Sequence, residues 1–367
     1  MATGDDQPTS SPTPIPAPAG GGDPGRSLAA MTTLRVGGPA SRALTASSAE
    51  DLVAEVVAAD AAGEALLLVG GGSNLLVADA GFAGTVVRID TRGIDVEPAG
   101  DRAVRVQVAA GEPWDSFVGT AVDQGWSGIE ALSGIPGRTG ATPIQNVGAY
   151  GAEVAQVIES LKVLDRSTGA VSRMPGAQVG FGYRSSQLKR TPGRWVVLAV
   201  TFVLGTDPLG SPVRYAELAR VLGVDLGDRP PARSVREAVL ELRRGKGMVL
   251  DTADPDTWSA GSFFTNPVIP AARADALPEG APRFAQPDGS VKTSAAWLIS
   301  RAGFQRGFGL RPGARATLST KHVLALTNRG GATAEDLLEL ARVVREGVAD
   351  RFGIVLENEP VLVGCAL

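Results

Sequence analysis

One histidine, His322, and one cysteine, Cys365, stand in 367 residues. Those two scarcities exclude a good deal of chemistry. A histidine-dependent triad would have to run through His322 alone, metal clusters lack ligands, and a disulfide framework is impossible. A lone cysteine also points to a reducing compartment. Lysine is scarce too, with only Lys162, Lys189, Lys246, Lys292 and Lys321 among 35 basic residues. No apolar run is long enough to span a bilayer. The first 27 residues are rich in Pro, Gly, Ser and Asp and lack the basic start and apolar stretch of a signal peptide. Their composition predicts a disordered tail, 1–27, on a cytoplasmic protein. A net charge of −4 offers no pull toward nucleic acid or an anionic membrane. The run Gly70-x-Gly72 does not complete the dinucleotide fingerprint G-x-G-x-x-G, because Leu75 stands where its third glycine would.

What the chain does have is two glycine-rich runs, Val69-Gly70-Gly71-Gly72-Ser73-Asn74-Leu75 and Leu132-Ser133-Gly134-Ile135-Pro136-Gly137. Consecutive glycines are often plain turns. Two such runs within the same region offer convergent backbone N–H groups and room for close approach, which is what a pyrophosphate needs. The pattern therefore points to a dinucleotide held between two loops, outside a Rossmann fold.

The length allows two or three domains. Order is expected from near Leu34. Strands are predicted at 42–45, 65–69, 86–89, 104–108, 154–165 and 195–204, and helices at 49–62 and 113–124. The continuous apolar character of 195–204 reads as a strand covered on both faces. Beyond the proline-rich breaks at 208–212 and 228–231, helices are predicted at 234–244, 293–301 and 333–352. The first has Ser234 and Glu237 as a capping box, and the last has Thr333 and Asp336 at matching positions. Short strands follow at 354–356 and 361–363. The fold class is α+β, with a first domain over 28–205 and a second over 206–367.

Without spare histidines, a proton donor must be a carboxyl, a hydroxyl or a water. Four constellations could supply one or bind an anion: Gly182-Tyr183-Arg184-Ser185, Ser259 to Pro267, the pair Glu357 and Glu359, and the helix end Arg243-Arg244-Gly245-Lys246-Gly247. Each has an ordinary reading as a turn, a cap, solvated loop acids or cations complementing a helix dipole. Together they suit a ligand carrying phosphates and a carboxylate.

The runs Gly-Gly-Gly-Ser-Asn-Leu-Leu at 70–76, Leu-Ser-Gly-Ile-Pro-Gly at 132–137, Pro-Ile-Gln-Asn-Val-Gly-Ala-Tyr-Gly at 143–151, Phe-Gly-Tyr-Arg-Ser-Ser at 181–186, Ala-Gly-Ser-Phe-Phe-x-Asn-Pro at 260–267 and Asp-Gly-Ser-Val-Lys at 288–292 resemble the UDP-N-acetylenolpyruvoylglucosamine reductase family. The resemblance covers about 30–367. It implies an FAD-binding domain of the vanillyl-alcohol-oxidase (PCMH) type followed by a C-terminal α/β substrate domain. It further implies NADPH-dependent reduction of the enolpyruvyl ether of a UDP-sugar in peptidoglycan precursor synthesis, by a monomer holding FAD noncovalently.

By the same resemblance Arg184 holds the substrate carboxylate, Ser262 donates a proton, and Glu359 completes that end. The family usually places proline between the two glutamates, so Glu357 remains the alternative to Glu359. Tyr215 resembles the tyrosine of a substrate-covering lid. Tyr183, Lys246, Asn266 and His322 fall to substrate binding. Cofactor contacts fall to Gly70, Gly71, Gly72, Ser73, Asn74 and Leu75, to Gly134, Ile135, Pro136 and Gly137, and to Gly140, Ala141, Gln145, Asn146, Gly148, Ala149 and Arg243. No metal is expected. An FAD-dependent sugar or lactone oxidase of the same superfamily is the alternative. Many of those tether flavin through histidine or cysteine, and this chain has neither before residue 322.

Overall fold

The computed structural model describes residues 27–367. The expected tail therefore lies outside the described residues except for Ser27. Structure starts earlier than Leu34, with a 3-10 turn over Leu28–Met31. Leu28 is buried there against Val77 and Phe82.

The elements run in chain order as β1 (Ala40–Ala46), α1 (Ala49–Ala61), β2 (Leu66–Val69), β3 (Leu75–Val77), β4 (Phe82–Ile89), β5 (Ile94–Pro98), β6 (Ala103–Ala109), α2 (Trp114–Asp123), β7 (Gly148–Ala149), β8 (Ala152–Glu153), β9 (Ile158–Asp165), β10 (Ala170–Pro175), α3 (Gln187–Arg190) and β11 (Trp195–Gly205). They continue as α4 (Ala216–Leu222), α5 (Ala232–Gly245), β12 (Val268–Ile269), α6 (Ala271–Asp275), β13 (Phe284–Ala285), β14 (Val291–Lys292), α7 (Ala295–Arg301), β15 (Ala316–Leu318), β16 (Leu326–Asn328), α8 (Ala334–Phe352) and β17 (Val361–Val363).

Strands β1, β4 and β2 form a parallel sheet in that order. A second, antiparallel sheet has the order β10-β9-β11-β6-β5. Helix α1 lies between the two: its Leu52 and Val56 cluster with Val87 on one side and Leu164, Val196 and Leu198 on the other. The opposite face of β11 sends Val197, Val200, Phe202 and Leu204 into a core with α2 and α5. Coverage on both faces is why β11 reads as unbroken apolar sequence. A third core gathers α7, α8 and the loops from Ala260 onward. Last, β17 returns to pair in parallel with β3, Val361 opposite Leu75.

Local signals explain most helix ends. Ser48 accepts from the Asp51 N–H at the start of α1, and Thr333 and Asp336 form the capping box of α8. Four expectations are corrected. Helix α5 begins at Ala232 after Pro231, with no side-chain cap, so Ser234 and Glu237 lie inside it. The earlier start buries Ala232 with Val235, Ala238 and Val239 on one stripe, which outweighs a hydroxyl cap of about 1 kcal/mol. Residues 154–156 form a 3-10 turn ahead of β9 rather than strand. Residues 354–356 pair with nothing, although Ile354 and Leu356 are buried in the third core. Helix α7 starts at Ala295, capped by Ser294, two residues later than expected. Among the described residues no helix is long and apolar enough to cross a membrane, and no group of His, Cys, Asp and Glu could hold a metal ion.

Candidate active site

The two glycine loops meet. A Cβ on Gly71 would stand 2.7 Å from the Gly137 Cα, so only glycine lets the loops touch. Ser73 Oγ pins them by donating to the Pro136 carbonyl at 3.0 Å. Among the described residues the N–H groups of Gly70, Gly71, Gly72, Ser73 and Asn74 donate to no backbone acceptor, and the same holds for Gly137. A run of free donors of this kind is an anion cradle. Arg243, at the end of α5, adds a cation. Its Nη2 donates to the Met248 carbonyl at 2.7 Å, while its buried Nε has no partner. A Cβ on Gly134 would come within 3.4 Å of that Nε and 2.9 Å of Leu240. Desolvation weighs against the charged form of Arg243, which lowers its pKa and favours an anionic partner. These groups fit the pyrophosphate of FAD.

Beside the cradle, Gly140 packs on Ala110, and the 3-10 turn containing Ala141 leads to Gln145. Gln145 Nε2 donates to Glu359 Oε1 at 3.1 Å, and its own oxygen accepts from Asn74 Nδ2 at 3.3 Å. Arg184 Nε stands 3.2 Å from the same Glu359 oxygen, and Arg184 Nη2 donates to the Gly148 carbonyl at 3.1 Å. Burial pushes the Glu359 carboxyl up in pKa, against the pull of Arg184, Lys189 and Gln145. Glu357 is exposed, so the geometry separates the two glutamates. Ser262 is half-buried, and its hydroxyl makes no hydrogen bond among the described residues. The residue after it, Phe263, accepts from the Glu359 N–H at 2.8 Å, which sets Ser262 on a segment laced to Glu359. Asn266, further along, accepts from the Ala295 N–H at 2.9 Å, and hydrogen bonding with Asn266 opposes the upward push of burial on Tyr183. Lys292 lies 4.5 Å over the Tyr183 ring.

A second group of side chains forms the other end. Tyr215, at the start of α4, stacks edge-on against Tyr150 with centroids 5.6 Å apart. Lys246 Nζ is 5.7 Å from the Tyr150 ring and bonds Glu217 at 2.6 Å. Burial raises the Tyr150 phenol to about 12. Burial, with the positive charge of Lys246 and Arg306 adding to it, holds His322 down at about 4, so it is neutral at pH 7. The loop bearing His322 is anchored by Asp256, which accepts from Thr320 and Arg329. Phe263 N–H donates to the Leu324 carbonyl at 2.7 Å, joining that loop to the Ser262 segment.

The structure thus brings Arg184, Ser262, Glu359, Tyr183 and Asn266 to one end, and Tyr215, Lys246 and His322 to the other. Gly148 and Ala149, the strand β7, run between them to Tyr150. All three tyrosines of the chain fall here. Asn146 is 1% exposed, and its side-chain amide is engaged by Glu153, Gly182 and Ala155. Sequence reasoning missed Tyr150, Lys189 and Glu217. The tyrosine lay within a quoted motif, and Lys189 is one of only five lysines; composition alone could have flagged both.

Two matches define the class. Residues 40–174 fit the model of an FAD binding domain, which makes this a flavin-binding protein with a cradle of the right chemistry. Residues 254–363 fit the C-terminal domain of UDP-N-acetylenolpyruvoylglucosamine reductase. The chain is 56% identical to the enzyme of that name from Salinispora arenicola, over 93% of this chain and 95% of the relative. It is 55% identical to that from Thermobifida fusca, over 93% and 97%. The crystal structure of the Thermus caldophilus reductase superposes with a TM-score of 0.63 at 27% identity, covering 92% of this chain and 97% of that one. The chain belongs to the UDP-N-acetylenolpyruvoylglucosamine reductase family.

Proposed function

We infer that the protein reduces the enolpyruvyl ether of a UDP-N-acetylglucosamine to UDP-N-acetylmuramate with electrons from NADPH, as a step of peptidoglycan precursor synthesis. FAD, when bound, supplies the hydride that adds to the terminal carbon of the enolpyruvyl group. The chain supplies the rest. Arg184 binds the substrate carboxylate and stabilises the negative charge that develops next to it. Glu359, its pKa raised by burial, completes that end as a hydrogen-bonding carboxyl. Ser262 Oγ gives a proton to the carbon bearing the carboxylate; a hydroxyl suffices because an enolate is strongly basic. Tyr183, Asn266, Lys246, Tyr215 and His322 hold the sugar nucleotide, with Lys246 and Asn266 at its diphosphate and Tyr215 as part of a lid.

The glycine loops, Gly140, Ala141, Gln145, Gly148 and Ala149 face the flavin, with Arg243 at its pyrophosphate and Asn146 as backbone support. Residues 28–205 form the flavin part and 206–367 the substrate part, in a cytoplasmic monomer. FAD is held without a covalent bond. NADPH and the sugar nucleotide use the same cleft in turn, which requires ping-pong kinetics.

The observation that carries the reading is the Arg184–Glu359 pair, laced through the Phe263 carbonyl to the segment bearing Ser262, whose hydroxyl has no partner among the described residues. The test is spectroscopic: NADPH should bleach the yellow protein, and the enolpyruvyl sugar nucleotide should restore the colour without oxygen. Bleaching with no anaerobic recovery would sink it.

A further inference from the structure

Arg184 occupies the left-handed backbone region at φ +50°, which a residue with a side chain rarely adopts without support. It sits in a tight turn in which Gly182 and Ser185 exchange backbone hydrogen bonds at 3.0 and 3.2 Å. Two side chains grip that turn from outside. Asn146 Nδ2 donates to the Gly182 carbonyl at 3.2 Å. Lys189 Nζ reaches back from α3 to the carbonyl of Arg184 itself at 3.0 Å.

Both grips are anchored in turn. Asn146 is buried, is itself left-handed at φ +48°, and is fixed by Glu153 Oε2 at 2.8 Å and the Ala155 N–H at 3.1 Å. Helix α3 is capped by Ser186, whose hydroxyl also donates to the Ile144 carbonyl. The stretch 144–146 therefore holds the arginine's turn from below, while Gln145 within it holds Glu359.

We propose that Asn146 and Lys189 are positioning residues that lock the Gly182–Ser185 turn so that the Arg184 guanidinium faces Glu359. Neither touches substrate, because their polar ends are engaged by the turn. Released from them, Arg184 relaxes toward ordinary backbone angles and swings its guanidinium away from the developing charge. The proposal rests on the reading of Arg184 and Glu359 as the carboxylate end of the site.

The experiment is stopped-flow on both half-reactions of the FAD-loaded protein, comparing wild type with K189M, K189R and N146G. N146G keeps a left-handed backbone and deletes the grip. Anaerobic reoxidation by the enolpyruvyl sugar nucleotide should slow about 10- to 100-fold in K189M and N146G, a typical cost of misplacing a catalytic group by about an ångström. In K189M flavin reduction by NADPH should stay within about twofold of wild type, and K189R should recover most of the loss. Lys189 is exposed, so K189M remains decisive if N146G does not fold. Unchanged reoxidation in K189M, equal slowing of both half-reactions, or no rescue by K189R would overturn the proposal. Failure of wild type itself to be reoxidised would overturn the functional reading and this proposal with it.

Discussion

Arg184 and Glu359 are tied down from several separate stretches of chain, among them 74, 144–148 and 263, whereas Tyr215 and Lys246 are each held by a contact or two. At the first end Glu359 has its carboxylate on Arg184 and Gln145, its N–H on Phe263 and its carbonyl facing Asn74. At the second, Tyr215 is 45% exposed with an edge-on contact to Tyr150, and Lys246 has a single ion pair to Glu217. The difference matches two tasks. Charge that develops during a reaction is stabilised only by groups already in place, since moving them costs what they would contribute. A long diphosphate can be gripped by side chains that adjust as it arrives.

Ser262→Ala tests that contrast most sharply. Reoxidation by the enolpyruvyl substrate should fall roughly 10²–10⁴-fold while reduction by NADPH stays near normal. Stopped-flow separates the two, and equal slowing of both would remove the distinction between the ends. The next effect is thermodynamic and lies at the adaptable end. His322 has a folded pKa of about 4 against an ordinary 6.5, so the folded state takes up fewer protons. Its contribution is fully present above pH 6.5 and is lost as pH falls from there toward 4, up to about 3 kcal/mol. Denaturant melts at pH 7 and pH 4.5 should show a smaller drop in His322→Gln than in wild type; equal drops would contradict it.

Smaller effects should mark the binding side chains. Lys246→Met should raise KM for the sugar nucleotide about tenfold with kcat little changed, since a cation for the diphosphate is lost and no reacting group moves. A kcat loss as large as that of Ser262→Ala would place Lys246 at the chemistry. Tyr215→Ala should be mildest, a few-fold in KM, consistent with one edge-on ring contact of about 1 kcal/mol. Initial-rate kinetics decides both.

The sequence displayed what local rules encode. The cap at Thr333 and Asp336 lies within one turn of its helix and was readable, as was the double coverage of β11 from its apolar run. The glycine loops announced free N–H groups, though not that Gly71 touches Gly137. Where two signals competed, as at Pro231 and Ser234, the burial pattern of α5 decided, and that depends on α2 and the turn at 130–132, far off in the chain. Residues 354–356 alternate because Ile354 and Leu356 are buried while Val355 is exposed, yet no partner edge among the described residues reaches them. Glu359 could be chosen over Glu357 only by motif register; the deciding contact with Arg184 spans the whole fold. Lys189 and Tyr150 act through backbone turns and stacking, which no spacing rule describes.

The pairing of β17 with β3 has a consequence for how the molecule is made. Asn74, beside the first glycine loop, meets the Glu359 carbonyl across 285 residues of chain, and Val361 N–H closes on the Asn74 carbonyl at 2.9 Å. A nascent chain emerging from the ribosome can fold β1, β2 and β4 early, but β3 must wait for β17, Val361–Val363, before its edge is covered. Loop closure over such a distance is slow and comes late. A chain cut short before β17 would therefore lose more than that strand. It would leave the cradle region with a bare edge, open to pairing with other unfinished copies. Synthesis through β17 is, in effect, the checkpoint for assembling the site.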